Sequence, residues 1–121
     1  MSNYELQEKA VRAAIRFCER KGYEIIDTDW VSREGAKVDL VAKDKDCLVF
    51  IDVTAKEYGD GPLEGGKIPR SDFEVAAAGW LADNPEEADI QVRFDTVDML
   101  VVSASKALLR HHINAFSCRV E

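Results

Sequence analysis

The sequence predicts an α/β/α sandwich built around a mixed five-stranded sheet. Hydrophobic periodicity changes along the chain in the order helix, three strands, helix and two strands. The third predicted strand, Cys47 to Val53, is apolar at successive positions and therefore on both faces, so the sheet needs a helix on each side. The chain has 121 residues, of which 46% are hydrophobic, and this fits one domain spanning residues 1–121.

Both predicted helices begin at a capping box. The first runs from Ser2 to about Lys21 with apolar residues at helical spacing, and Gly22 follows as the residue that ends it. The second begins at Ser71 and ends before Pro85, because a proline disfavours helix at the residue before it.

The predicted strands alternate with polar turns. The short polar turn Asp44-Lys45-Asp46 joins the second strand to the third, and so short a turn predicts an antiparallel hairpin. The five strands are expected at Tyr23 to Val31, Lys37 to Lys43, Cys47 to Val53, Ile90 to Val102 and Leu108 to Phe116.

Charge and hydropathy exclude several classes of protein. Acidic residues number 23 and basic residues 16, and the resulting net charge of −7 argues against a general nucleic-acid coat protein. It leaves room for a nucleic-acid enzyme with a local basic face. The longest apolar runs are far shorter than the ~20 residues of a membrane helix, and the first residues do not resemble a signal peptide. We therefore expect a cytoplasmic protein that does not associate with membranes.

Two aspartates interrupt otherwise apolar strands. Asp39 lies in the second predicted strand and Asp52 in the third, and the hairpin turn centred near residue 45 brings them to nearly the same height. Two buried carboxylates side by side repel each other unless a cation lies between them, and Mg²⁺ prefers oxygen ligands. The alternative is a pair of aspartates at strand ends that face solvent or pair with lysines.

Lysines flank this predicted pair. Because side chains two residues apart share a strand face, Lys37 lies on the face of Asp39, and Lys56 on that of Asp52 if the strand extends so far. Either lysine is a candidate for orienting the attacking water or stabilising charge on a phosphate. Simple charge compensation is the alternative for both.

A loop rich in glycine and proline, Tyr58 to Pro69, precedes the second helix. It is long enough to suggest a function. Lys67 and Arg70 flank the start of that helix, where backbone N–H groups also attract anions. We expect these two residues to bind nucleic-acid phosphate. The basic stripe on the first helix is interleaved with glutamates, and we interpret it as a solvated face.

Several separate stretches resemble the YraN family, also called UPF0102. The resemblance implies a restriction-endonuclease-like fold, a distant relationship to Holliday junction resolvases and a metal-dependent nuclease site of the PD-(D/E)XK type. The stretches that carry it are Gly22-Tyr23-Glu24-Ile25-Ile26, Trp30, Gly35, Val38-Asp39-Leu40-Val41-Ala42, Leu48-Val49-Phe50-Ile51-Asp52-Val53, Val92-Arg93-Phe94-Asp95-Thr96-Val97 and His112-Ile113-Asn114-Ala115-Phe116.

The family pattern, carried over residue by residue, makes Asp39 and Asp52 ligands of Mg²⁺ or Mn²⁺, and the carbonyl of Val53 is a candidate further ligand. This chain departs from the pattern at three positions in these two strands. Lys37 replaces a glutamate, Asp52 replaces a glutamate and keeps the carboxylate one methylene shorter, and Thr54 replaces the lysine. The family also carries a glutamate in the first helix that this chain lacks, and Glu8, one turn earlier, is a weak candidate to substitute for it.

Two interpretations of the missing lysine stay open. Either Lys37 or Lys56 supplies the cation from another backbone position, or the chain is a degenerate relative with little or no activity. The resulting expectation is a Mg²⁺-dependent endonuclease that acts on branched or damaged DNA. The alternative is a non-catalytic module for binding nucleic acid or protein that keeps the nuclease fold.

Overall fold

The computed structural model describes residues 2–33, 35–59, 70–87 and 90–116. Within them the chain forms two α-helices, a short 3₁₀ turn at Pro85–Glu87 and five strands. The element order predicted from the sequence is confirmed. In chain order the elements are α1 (Asn3–Arg20), β1 (Glu24–Val31), β2 (Lys37–Asp44), β3 (Cys47–Glu57), α2 (Arg70–Asp83), β4 (Gln91–Ser103) and β5 (Lys106–Phe116).

The five strands form one mixed sheet in the order β1-β2-β3-β4-β5. All neighbouring pairs are antiparallel except β3 and β4, which run parallel and are joined through α2. A parallel pair needs a long crossover connection, and here that connection contains the second helix. The sheet is therefore mixed, as predicted.

A helix packs on each face of the sheet. Val49 and Ile51 of β3 belong to a core that includes Ala14 of α1. The intervening Phe50 points to the opposite face, into a second core that includes Trp80 of α2. The α/β/α arrangement predicted from a strand that is apolar on both faces is thus confirmed.

The ends of α1 follow directly from its sequence. The Ser2 side chain accepts a hydrogen bond from the backbone N–H of Glu5 at 3.1 Å, which confirms the predicted cap. At the other end the Tyr23 N–H donates to the Cys18 carbonyl at 3.0 Å, and Gly22 has a φ of +92°. That left-handed conformation suits glycine, so Gly22 ends the helix as predicted.

Several boundaries differ from the predictions. Strand β3 continues to Glu57, which places Thr54 and Lys56 inside the strand, and β5 begins two residues earlier than expected, at Lys106. Helix α2 begins at Arg70, so Ser71 lies within its first turn, and the prediction of a cap at Ser71 was wrong. No helix in the described ranges is long and apolar enough to span a membrane.

Helix α2 is held close to β1 by a glycine and a tryptophan. A Cβ atom at Gly79 would lie 2.9 Å from the ring of Trp30, so only glycine permits this approach. The next residue, Trp80, is fully buried and donates its indole N–H to Asp27 at 3.1 Å. These contacts fix the position of α2 over one end of the sheet.

Candidate metal and phosphate site

Asp39 and Asp52 lie opposite each other on neighbouring strands. The hairpin pairs Leu40 with Ile51, one residue along, so the register predicted from the turn is confirmed. Directly opposed residues of an antiparallel pair share one face of the sheet. Here that face is the α2 face, because Phe50 belongs to the core under α2. The two aspartates are only 4% and 6% exposed, so two carboxyl groups are buried side by side.

The two carboxyl groups differ in how their oxygens are satisfied. Asp39 Oδ2 accepts a hydrogen bond from the backbone N–H of Val53 at 2.8 Å. Asp52 Oδ2 is buried and has no hydrogen-bond partner among the described residues. A buried oxygen without a donor costs free energy, which a bound cation or proton would recover.

This environment disfavours the charged form of Asp52. Burial, followed by the adjacent Asp39 and then the charge of Asp98, raises the pKa of Asp52 from 3.8 to about 7, while Lys37 opposes the shift. This carboxyl group therefore keeps its proton to a higher pH than an exposed aspartate does. A divalent cation would compete with the proton for the same oxygens.

The structure brings one of the two candidate lysines to the carboxylates. Lys37 Nζ lies 3.6 Å from Asp39 Oδ1, and its side chain is about half exposed. Lys56 is on the same face of β3 as Asp52, but four residues further along. At about 3.3 Å per residue its backbone is ~13 Å from that of Asp52. Lys37 is therefore the better placed of the two.

The carbonyl of Val53 is already engaged by the first helix. Gln7 Nε2 donates a hydrogen bond to the Val53 oxygen at 2.8 Å. A carbonyl oxygen has a second lone pair, so this contact leaves one position for another ligand. The sequence reasoning missed Gln7 and considered Glu8 instead. Glu8 pairs with Arg12 on the exposed side of α1.

The hydroxyl of Thr54 already has a hydrogen-bond partner. It lies 2.5 Å from Asp98 Oδ1, on the parallel neighbour β4. The other oxygen of Asp98, Oδ2, lies 3.1 Å from His112 Nε2 on β5. Asp98 is fully buried, so these two contacts satisfy a carboxylate that would otherwise be costly to bury.

The sequence reasoning overlooked Asp98 and His112. Asp98 interrupts an apolar strand just as Asp39 and Asp52 do, and the same argument would have selected it. In the sequence, His112 has no acidic residue at the spacing of metal ligands. Its partner comes from the neighbouring strand, which sequence spacing does not reveal.

The opposite face of the sheet carries a separate polar cluster. Arg93 makes two hydrogen bonds of 2.9 Å to Asp95 and further ones to Asp44 and Tyr23. Asp95 is also 2.8 Å from His111 Nε2. Every side-chain oxygen of the buried Asp95 thus has a partner, which is the pattern of a structural ion network.

The predicted phosphate-binding residues fall at the edge of what the structure describes. Lys67 lies outside the described residues, and the side chain of Arg70 does so too. The backbone of Arg70 forms the first residue of α2. Their role in binding nucleic acid stays a prediction.

The buried pair offers the oxygen ligands that suit a hard divalent cation such as Mg²⁺ or Mn²⁺. Within the described residues no three Cys, His, Asp or Glu side chains are grouped to hold an ion, so a closed site of protein ligands is not seen there. Mg²⁺ commonly keeps several waters and is held by one or two carboxylates. Asp39 and Asp52, with the unpartnered Asp52 Oδ2, fit that donor set.

Comparison with known proteins identifies a family. The model of a family described as "Uncharacterised protein family UPF0102" matches residues 10–99. A UPF0102 protein of Geobacter sulfurreducens is 32% identical over 106 residues, covering 85% of this chain and 81% of that protein. One from Geobacter metallireducens is 29% identical, covering 96% and 95%, and one from Bradyrhizobium diazoefficiens is 35% identical, covering 79% and 69%.

Proposed function

This chain belongs to the UPF0102 family, and from that premise we propose that it hydrolyses phosphodiester bonds in branched or damaged DNA with a bound divalent cation. The observation that carries the proposal is the buried Asp39 and Asp52 pair, with one carboxylate oxygen unpartnered in the described structure. A purely structural pair would be expected to have satisfied oxygens or an apolar replacement. Action on cellular DNA implies a cytoplasmic enzyme.

Each residue of the site has a separate task in this proposal. Asp39 and Asp52 would hold Mg²⁺ or Mn²⁺, and the free lone pair of the Val53 carbonyl is available as a further ligand. When bound, the cation would activate water and neutralise charge on the scissile phosphate. Lys37, 3.6 Å from Asp39, would bring positive charge to the incoming phosphate.

The proposed activity is weak. Thr54 stands where the family pattern has lysine, and its short side chain carries no charge. Its hydroxyl is 2.5 Å from Asp98, so it is not directed at a phosphate over Asp39 and Asp52. We therefore expect slow nicking of branched DNA with Mn²⁺ and little or no cleavage of linear duplex with Mg²⁺.

The second candidate is a non-catalytic module that binds nucleic acid or protein. The loss of a charged side chain at Thr54 favours it, as does the net charge of −7, which disfavours contact with DNA phosphates. In that case Asp39 and Asp52 would share a proton rather than a cation.

Two measurements on the same samples separate these candidates. Calorimetric titration with MnCl₂ reports cation binding, and a nicking assay on a synthetic four-way junction reports hydrolysis. We expect the wild type to show both and Asp39→Asn to lose both. Asp46→Asn, which removes an exposed carboxylate from the hairpin turn, is the matched control and should behave as wild type.

The opposite results would reject the enzyme. A wild-type protein that binds no Mn²⁺ and nicks no junction would favour the interaction module. Nicking that survives Asp39→Asn would show that the hydrolysis does not depend on the buried pair.

A further inference from the structure

Three side chains linked by polar contacts lie beside the carboxylate pair and have no role in the proposed metal site. They are Thr54 of β3, Asp98 of β4 and His112 of β5. In the sheet register Asp52 pairs with Thr96 of β4, and Thr96 pairs with His112 of β5. Paired residues on neighbouring strands share a face, so His112 and Asp52 are on the same face of the sheet. With ~4.8 Å between strands, their Cα atoms are about 10 Å apart.

His112 is oriented by a buried carboxylate. Its Nε2 lies 3.1 Å from Asp98 Oδ2, and the side chain of Asp98 is fully buried. A carboxylate acceptor at Nε2 places the ring proton there in the neutral imidazole and leaves the lone pair on Nδ1. The other oxygen of Asp98 is held by the Thr54 hydroxyl at 2.5 Å, which fixes the carboxylate in place.

The neighbouring histidine provides a direct contrast. His111, on the opposite face, has both ring nitrogens engaged: Nε2 lies 2.8 Å from Asp95 and Nδ1 3.1 Å from Lys21. Its side chain is 3% exposed. The side chain of His112 is 38% exposed, and its Nδ1 has no hydrogen-bond partner in the part of the chain described. Of the two histidines, His112 alone combines a buried orienting carboxylate with a partly exposed side chain.

We propose that His112 Nδ1 is the proton acceptor for the attacking water, with Asp98 and Thr54 as positioning residues. This inference rests on the proposed function. A water proton passes to Nδ1 while the water oxygen forms the new bond to phosphorus. The bond from phosphorus to the leaving sugar oxygen breaks, and that oxygen takes a proton from solvent. The imidazolium then returns its proton to solvent.

Threonine and lysine at position 54 would support catalysis in different ways. A lysine there would carry its own positive charge towards the phosphate, whereas threonine donates to Asp98 and helps to hold His112. The two arrangements are alternatives. In a Thr54→Lys background the removal of His112 should therefore cost less activity than it does in the wild type, which a double-mutant cycle measures.

One test does not depend on activity. Nitrogen-15 NMR of the histidine side chains, at a pH where the ring is neutral and without added metal, reports which nitrogen carries the proton. We expect the proton on Nε2 of His112 and a bare Nδ1, and a loss of this preference in Asp98→Asn. A proton on Nδ1 would overturn the inference, because that nitrogen could not accept another.

The second test uses the junction-nicking assay. His112→Ala should lower the nicking rate by about 100-fold, the lower end of the usual contribution of a general base, and added imidazole should restore part of it. Mn²⁺ binding by calorimetry should be unchanged. Ile113→Ala, an exposed neighbour on the other face of β5, is the control and should nick as the wild type does.

The outcomes distinguish this inference from the function on which it rests. Wild-type nicking that His112→Ala leaves unchanged would overturn the role of His112 and leave the metal site standing. Loss of nicking that imidazole does not rescue would also count against a proton-accepting role. Absence of nicking in the wild type would overturn the proposed function and this inference together.

Discussion

Replacing Asp52 by asparagine should stabilise the protein at alkaline pH. Asp52 is 6% exposed, and burial, with Asp39 beside it, raises its pKa from 3.8 to about 7. The pKa of this carboxyl group is raised by folding. Its contribution to the stability of the protein is therefore full below pH 3.8 and is lost progressively as the pH rises from there through about 7. Asparagine has the same shape and never ionises, so it avoids this loss.

The size of the effect follows from the two pKa values. The pKa difference between 3.8 and about 7, at ~1.4 kcal/mol per pH unit, means that ionisation of Asp52 lowers the unfolding free energy by ~4 kcal/mol above pH 8. At pH 4.5 the same relation gives a loss of only ~1 kcal/mol, because Asp52 is still mostly protonated in the folded protein. The advantage of Asp52→Asn should therefore grow by ~3 kcal/mol between these two conditions.

Guanidinium denaturation at pH 4.5 and pH 8.5, without divalent cations, measures this change. Asp46→Asn, in the exposed turn, should show no comparable pH-dependent gain. An advantage of Asp52→Asn that is equal at the two pH values would refute the reasoning. So would a variant less stable than wild type at pH 8.5.

The same experiment with MnCl₂ links stability to the proposed cation. A ligand that binds only the folded state stabilises it by mass action. Mn²⁺ should therefore raise the unfolding free energy of the wild type at pH 8.5 and leave Asp52→Asn almost unaffected. An equal response of both proteins would place the bound ion elsewhere.

The remaining predictions concern the loop, the replaced lysine and the packing of α2. Lys67→Ala with Arg70→Ala should weaken junction binding and reduce its salt slope by up to about 2, measured by fluorescence anisotropy; an unchanged slope would remove both residues from the interface. Thr54→Lys should raise the nicking rate at least ~10-fold, because an ammonium group would stabilise charge in the transition state; a folded variant no faster than wild type would contradict this. Gly79→Ala should lower the unfolding free energy by ~1–2 kcal/mol, although alanine favours helices, because its Cβ would lie 2.9 Å from the Trp30 ring. In a Trp30→Leu background the same change should be neutral or stabilising, and stabilisation in the wild-type background would refute the contact.

The sequence was most informative where local rules decide the structure. The cap at Ser2 and the end of α1 at Gly22 depend on residues within one turn of each other. The hairpin register depends on a turn of fixed length, and it places Asp39 opposite Asp52 without knowledge of the rest of the sheet. Both features could therefore be derived by counting residues.

The sequence was least informative where distant segments meet. The parallel pairing of β3 with β4 brings Thr54 to Asp98, which is 44 residues away, and the pairing of β4 with β5 adds His112. No spacing rule encodes such contacts. Gln7 was missed for the same reason, since its partner is a carbonyl oxygen on β3, 46 residues away.

The buried aspartates on the two faces of the sheet differ in whether their oxygens have partners. On the α1 face both oxygens of Asp95 have partners in Arg93 and His111, so the charge is neutralised by the protein itself. On the α2 face Asp52 keeps a buried oxygen with no partner in the described structure, and its ionisation is costly near neutral pH. A site that serves only stability would be expected to resemble the first arrangement. The second arrangement, beside a His112 held by Asp98, is the one that the proposed cation and proton acceptor require.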